Sequence, residues 1–121
     1  MTVVRRSRRR SDRLRLLIDI NVVLDVMLER EGMFEESALV LIAVESGRAA
    51  GFIASHTIPT TFYLTEKARD RQTASLAVSA LLGIVEVVPL EGTDFQQAFL
   101  LSMGDFEDAI QVPAALKIGA G

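Results

Sequence analysis

The chain contains no cysteine among its 121 residues. This absence excludes a disulfide framework, a zinc–thiolate site and a thiol nucleophile, and it fits a cytoplasmic protein in a reducing compartment. No apolar run approaches the roughly 20 residues that a membrane-spanning helix needs, so we expect no membrane association. The basic start also lacks a following apolar stretch with a small-residue cleavage site, which argues against a secretory signal.

Several catalytic signatures are missing as well. The chain has no glycine-rich phosphate loop and no Ser–His–Asp order, which argues against a P-loop enzyme and a serine hydrolase. His56 is the one histidine, and it follows a predicted strand. A lone histidine is more often a surface or capping residue, so we assign His56 no role.

What the chain does have is apolar and acidic. Half of the residues are hydrophobic, which indicates one globular domain with one core. The net charge of -3 divides into +6 on residues 1–15 and -9 on the remainder. We predict an Arg-rich flexible arm over residues 1–13 and a single domain over residues 14–121. An acidic body binds nucleic acid poorly, so the arm would supply that contact unless it is a solvated tail or an upstream extension of the reading frame.

Apolar patterning and turn signals predict strands that alternate with helices. The predicted strands cover residues 14–18, 51–54 and 84–88. The predicted helices cover 22–30, 34–46, a segment from about 57, 73–82, a segment from 93, and 105 to about 118. Every connection between strands contains a helix, so the strands should be parallel with right-handed crossovers. The expected fold is α/β, with three α/β/α layers around a central parallel sheet.

Local signals add detail to these helices. Asn21 is well placed as the N-cap of the first helix. Thr93 and Gln96 have the spacing of a capping box at the start of the fifth. Phe62 and Tyr63 are interpreted as core residues of the third helix.

Two acidic stretches near opposite ends of the chain are expected to meet. Asp19 stands where the first strand should end, and open α/β sheets bind ligands outside the carboxyl ends of their strands. Asp105 and Asp108 share the first turn of the last helix. Separately, Asp19 could be an ordinary loop acid and the other two could be capping acids. Together they predict a site for a hard cation such as Mg²⁺ or Mn²⁺, which relieves their repulsion and supports phosphodiester hydrolysis.

Residues 17–25 (LIDINVVLD) resemble the opening of PIN-domain proteins, a family of Mg²⁺- or Mn²⁺-dependent ribonucleases. Residues 105–111 (DFEDAIQ) resemble the family's second signature, and the similarity extends over residues 16–121. The resemblance implies that Asp19 and Asp108 are catalytic metal ligands, that Asp105 is an auxiliary metal ligand, and that Asn21 orients Asp19. Many small bacterial members are toxins of toxin–antitoxin pairs, so RNA and an antitoxin protein are the expected partners.

Two departures from the family pattern concern the acids. The acid that the family usually carries on the helix after the second strand falls on Thr60 or Thr61, and Glu66 lies about two turns too far along to replace it. The family also places an Asp where this chain has Gly121, so the resemblance implies that the last strand is missing. The predicted strand 14–18 then becomes an apolar sheet edge. We therefore expect a homodimer, a partner that covers this edge or an unusual closure of the sheet, unless the chain is a truncated copy of a longer protein.

The main hypothesis is a PIN-like metal-dependent ribonuclease with a depleted acidic site. A catalytically inactive PIN-like interaction protein, which binds a protein partner or binds nucleic acid through residues 5–15, is the alternative. A small regulator of the receiver type would also place acids at strand ends, but the chain lacks a well-placed lysine late in the sequence.

Overall fold

The computed structural model describes Thr2–Val4, residues 13–101 and residues 105–119. Within them, one sheet contains the strands β1 (Thr2–Val4), β2 (Leu14–Leu17), β3 (Ala49–Ala54) and β4 (Val85–Val88), in this order. The helices are α1 (Ile20–Met27), α2 (Phe34–Glu45), α3 (Thr57–Ala68), α4 (Arg71–Leu82), α5 (Gly92–Leu100) and α6 (Phe106–Gly119). None of the helices in this part of the chain has the length and apolar character needed to cross a membrane.

The strands β2, β3 and β4 are parallel, and helices cover both faces of the sheet. Leu16 and Ile53 point to one face, where they pack with apolar residues of α1, α2 and α4. Leu17 and Phe52 point to the other face, where they pack against α6. Because both faces of β3 are covered, this central strand has no polar side chain, whereas β2 and β4 each contain one charged residue, Arg15 and Glu86. The predicted α/β fold with a central parallel sheet is confirmed.

The N-terminal strand β1 corrects the prediction that strand 14–18 is an exposed edge. β1 pairs antiparallel with β2, with Val3 opposite Leu16. Of the three alternatives expected for this edge, the structure shows an unusual closure of the sheet, because β1 of the same chain covers β2, and the open edge therefore no longer argues for a homodimer. The β-branched run in Thr2–Val4 favours a strand, although it precedes the arginines of the predicted flexible arm. The rest of that arm up to residue 12 lies outside the described residues.

Two helices begin earlier than their turn signals predicted. The N-cap position of α1 is Asp19, so the predicted capping role of Asn21 is wrong and Asn21 lies in the first turn. The helix α4 begins at Arg71, directly after an N-cap at Asp70, whose side chain accepts a hydrogen bond from the Thr73 backbone N–H at 2.7 Å. This backbone hydrogen bond lowers the pKa of Asp70 below its ordinary value.

The capping box of α5 lies two residues before the predicted one. Glu91 and Asp94, and not Thr93 and Gln96, each bond the other's backbone N–H through their side chains. Asp94 also forms an ion pair with Lys117 of α6, with 2.6 Å between Oδ2 and Nζ. The Asp94 carboxylate accepts hydrogen bonds from the Glu91 backbone amide at the start of α5 and from Lys117 of α6, and so joins the two helices. A capping box of uncharged side chains could not form this ion pair.

This ion pair should make the fold sensitive to acid. The hydrogen bond from Lys117, followed by that from the Glu91 backbone N–H, lowers the pKa of Asp94 below its ordinary value of 3.8. The ionised carboxylate therefore stabilises the fold above that value, and its contribution is lost as the pH falls through the lower folded-state pKa. We predict that the urea midpoint of the wild type falls more steeply than that of Asp94→Asn as the pH falls below about 4. Equal slopes for the two proteins would contradict this assignment.

The inward face of α3 is polar, which the sequence interpretation missed. Tyr63, predicted as core, is 57% exposed, and Phe62 is only partly buried. The buried positions are Thr57, Thr61 and Thr65, which recur every four residues along one side of the helix. The aromatic Phe62 and Tyr63 suggested that their side of α3 is buried. The threonines, spaced every four residues, form the buried side instead.

Candidate metal centre

A pocket of about 130 Å³ lies at the ends of β2 and β3. Carboxyl ends of neighbouring parallel strands are the usual ligand position in α/β folds. The residues that line it are Asp19, Ile20, Asn21, His56, Thr57, Asp105, Asp108 and Gln111. The structure thus brings together all four residues that the sequence analysis selected, from two stretches that are far apart in the chain.

Asp19 is positioned by the end of the sheet and the start of α1. The preceding residue, Ile18, donates its backbone N–H to the Phe52 carbonyl at 2.8 Å, which extends the β2–β3 pairing up to the pocket. The Asp19 side chain makes no capping hydrogen bond to α1. It accepts a hydrogen bond from Asn21 Nδ2 at 3.3 Å instead. Asn21 therefore contacts the carboxylate that we expect it to orient, while its role towards a metal stays a prediction.

The first turns of α6 supply the other oxygen donors. Asp105 directly precedes α6, and its carbonyl accepts from the Ala109 N–H at 3.0 Å. Asp108 is exposed one turn later, and Gln111 follows after three more residues. Residues spaced by three lie on the same side of a helix, so these side chains form one row along the pocket. The positive end of the helix dipole also favours negative charge at this point.

Four lining residues were not selected from the sequence: the apolar Ile20 and the polar His56, Thr57 and Gln111. His56 and Thr57 follow β3 closely, so their position after a strand was a usable signal. Gln111 has the same three-residue spacing from Asp108 that Asp108 has from Asp105. The amide oxygen of Gln111 is buried and has no hydrogen-bond partner among the described residues.

The residues at and near the position of the family's second acid do not line the pocket, as expected from the sequence. The Thr60 hydroxyl donates to the His56 carbonyl at 3.1 Å, and Thr61 is fully buried. Glu66 forms an ion pair with the first residue of α4, at 3.3 Å. Gly121, at the position of the family's last Asp, lies outside the described residues. The acids that line the pocket therefore come from the junction of β2 and α1 and from the start of α6.

The donors suit a hard divalent cation that keeps part of its water. Carboxylates of Asp19, Asp105 and Asp108 and the amide oxygen of Gln111 are all oxygen donors, which Mg²⁺ and Mn²⁺ prefer. In the part of the chain that the structure describes, no three His, Asp or Glu side chains form a group that could hold a metal ion. Mg²⁺ commonly binds through one or two carboxylates and several waters, so the pocket fits a hydrated ion.

Asp25, the other acid of the first signature, is not part of this pocket. Its side chain is buried, and Oδ2 accepts a hydrogen bond from the Ser37 hydroxyl at 2.8 Å. Arg30 of the loop after α1 approaches Oδ1 at 3.5 Å. Asp25 thus links α1 to α2 through a hydrogen bond. Asp19, the other acid of the same short motif, lines the pocket instead.

Comparison with known protein families identifies the fold. A family model described as PIN domain matches residues 15–121, a segment that includes every residue lining the pocket. Comparisons with curated proteins and with solved structures give no significant match. The chain therefore belongs to the PIN-domain family, a nuclease-type fold whose members generally use divalent metal ions.

Proposed function

We propose that this protein is a Mg²⁺- or Mn²⁺-dependent endoribonuclease. The supporting observation is the pocket at the ends of β2 and β3, which Asp19, Asp105 and Asp108 all line. In this proposal Asp19 and Asp108 hold the cation, Asp105 assists them, and Asn21 orients Asp19. A bound cation would stabilise negative charge on the phosphate and would favour deprotonation of the attacking water.

The protein's own residues have distinct tasks in this proposal. Asp19 is partly buried and held by Asn21, so it fixes the cation against the end of the sheet. Asp108 is exposed, so a phosphodiester could approach it from solvent. The dipole of α6 attracts the phosphate and reduces repulsion from the carboxylates. With few direct carboxylates, we expect weak cation binding and activity that saturates only at high metal concentration.

The test is cleavage of end-labelled single-stranded RNA by the purified protein in Mn²⁺. We expect cleavage that EDTA abolishes and that Asp108→Asn reduces by about 100-fold or more, because a carboxylate that would hold the cation, and through it stabilise the negative charge of the transition state, is lost. Asp25→Asn serves as the control, since it removes an acid outside the pocket. Cleavage that persists in EDTA, or that Asp108→Asn leaves unchanged, would identify a contaminating nuclease and contradict the proposal.

The biological setting is part of the proposal. We infer a toxin of a toxin–antitoxin pair, located in the cytoplasm, which the absence of cysteine fits. An apolar groove of about 300 Å³ between α2 and α4 supports an antitoxin partner, because such grooves accept amphipathic helices. A homodimer is supported by Phe99 and Leu100, 74% and 83% exposed at the end of α5, since clustered exposed apolar side chains mark interaction surfaces.

A second candidate function is a PIN-like interaction protein without catalysis. The observation in its favour is that the described residues contain no group of three acids able to hold a metal ion. This protein would keep the fold and bind an antitoxin-like partner or nucleic acid. Failure of the folded protein to bind Mn²⁺ would select this function over the ribonuclease.

A further inference from the structure

The exposed side of α3 begins at the pocket and leads away from it. His56, at the N-cap of α3, lines the pocket. Thr60, Tyr63 and Lys67 follow at helical spacing, so they lie on the same side of the helix as His56. Tyr63 is 57% exposed on this side, which faces away from the buried threonines. The row therefore connects the pocket with the C-terminal end of α3.

Positive charge is scarce in the acidic body and is concentrated at this end of α3. Residues 16–121 contain six Lys and Arg residues, and three of them are Lys67, Arg69 and Arg71. Arg71 is paired with Glu66. In the part of the chain that the structure describes, the Lys67 side chain forms no hydrogen bond or ion pair, and its Nζ lies 5.9 Å from the centroid of the Tyr63 ring. Tyr63 and Lys67 thus present an exposed aromatic ring and an uncompensated positive charge side by side.

A ring beside a cation fits an unpaired nucleotide. The bases of single-stranded nucleic acid stack on aromatic side chains, and lysine binds the neighbouring phosphate. Paired bases are already stacked on one another and are not free to do so. Tyr63 lies seven residues after His56, about 10 Å along the helix axis, a length that about three stacked nucleotides span. One strand can therefore occupy both the pocket and the ring.

We propose that Tyr63 and Lys67 form a subsite for single-stranded RNA beside the pocket. A base of the strand stacks on the Tyr63 ring, and the Lys67 ammonium contacts a neighbouring phosphate. The strand follows the exposed side of α3, so that a phosphodiester a few nucleotides away reaches the carboxylates. The role of this pair as a substrate subsite rests on the proposed function, because the pocket must cleave the strand that the pair holds.

Cleavage kinetics in Mn²⁺ test the stacking, with a single-stranded RNA of about 12 nucleotides as the substrate. Tyr63→Ala should raise KM by about 5–150-fold, which is the loss of one stacked base expressed as a fold-change. It should leave kcat unchanged, because a contact far from the reacting phosphate binds substrate and transition state equally. Tyr63→Phe keeps the ring and should keep the wild-type KM. Since Tyr63 is exposed, the urea midpoints of both variants should match the wild type.

The salt dependence of RNA binding tests the phosphate contact. Fluorescence anisotropy of the same RNA, labelled at its end, measures binding in EDTA, where cleavage is not expected. Lys67→Gln should reduce the slope of log K against log salt concentration by about 0.7, the value for one phosphate of a single strand. Lys67→Arg should restore the slope, and Tyr63→Ala should weaken binding without changing it. Arg48→Gln is the matched control, because it removes the same charge just before β3, at the opposite end of the sheet from the pocket.

The possible failures are distinguishable. Wild-type KM and wild-type RNA affinity in Tyr63→Ala would overturn the subsite. Equal losses of slope in Lys67→Gln and Arg48→Gln would also overturn it, because net charge would then explain the binding. A folded wild type that binds RNA but does not cleave it in Mn²⁺ would overturn the proposed function instead, and the affinity of Tyr63→Ala in EDTA would still decide whether the ring binds RNA.

Discussion

Asp19→Asn is expected to lower Mn²⁺ affinity by about 100-fold or more, beyond what loss of a supporting group costs. The substitution removes the negative charge and nearly preserves volume. The fold should survive, because the Asp19 side chain does not cap α1 and its hydrogen bond comes from exposed Asn21. Calorimetric titration with Mn²⁺ and urea unfolding of the same samples measure the two effects separately.

Asp25→Asn provides the control within the same motif. It removes the same charge six residues later, at an acid that is bonded to Ser37 and lies outside the pocket. We expect the reverse pattern, in which the free energy of unfolding falls and Mn²⁺ affinity is retained. Equal losses of Mn²⁺ affinity in Asp19→Asn and Asp25→Asn would mean that net charge, and not the pocket, determines binding.

The second large effect concerns the packing that supports the site. Gly51→Ala is expected to destabilise the fold by about 1–3 kcal/mol through overpacking. A Cβ at this position would lie 2.6 Å from Cγ1 and 2.9 Å from Cγ2 of Val44, and 3.3 Å from Cδ1 of Ile18. Val44 is buried in α2, and its branched side chain has little freedom to move. Gly51 is thus required for the close approach of α2 to β3.

A double-mutant cycle tests this explanation. Val44→Ala alone should be destabilising because it leaves a cavity. Combined with Gly51→Ala it should provide the space that the new methyl group needs, with a favourable coupling of about 0.5–3 kcal/mol. Gly92→Ala is the control, because a Cβ there would meet no atom within 4 Å. Additive effects in urea unfolding would contradict the contact between positions 44 and 51.

Much of the fold was predictable because it is recorded in local patterns. Apolar runs such as residues 16–18 predicted strands of a buried sheet, and the helix in every connection predicted parallel pairing. The N-caps Asp70 and Glu91 were not predicted, since other polar residues nearby could equally have capped these helices. At α5 the choice depends on Asp94, whose partner Lys117 lies on another helix. The pairing of β1 with β2 was also missed, because three residues before an arginine-rich stretch carry no signal for their partner strand.

Some residues of the candidate site could likewise be predicted from the sequence, and others could not. Asp19, Asp105 and Asp108 could be selected because strand ends and helix starts are readable, and the fold brings those positions together. Gln111 could not be selected, because only the packed structure shows that it lines the pocket and that its amide oxygen is buried without a donor among the described residues. Likewise, the polar inner face of α3 replaced the aromatic core expected around Tyr63.

The most direct test of the central claim, a divalent cation in this pocket, is the NMR line width of one ring during a Mn²⁺ titration. His56 lines the pocket and is the one histidine in the chain, so its ring signals are identifiable without assignment. Tyr63, the one tyrosine, lies seven residues along α3, about 10 Å away along the helix axis, and serves as the internal reference. We predict that a small fraction of one equivalent of Mn²⁺ broadens His56 well before Tyr63, and that excess Mg²⁺ reverses the effect. Equal broadening of both rings, or none, would contradict a cation site at the ends of β2 and β3.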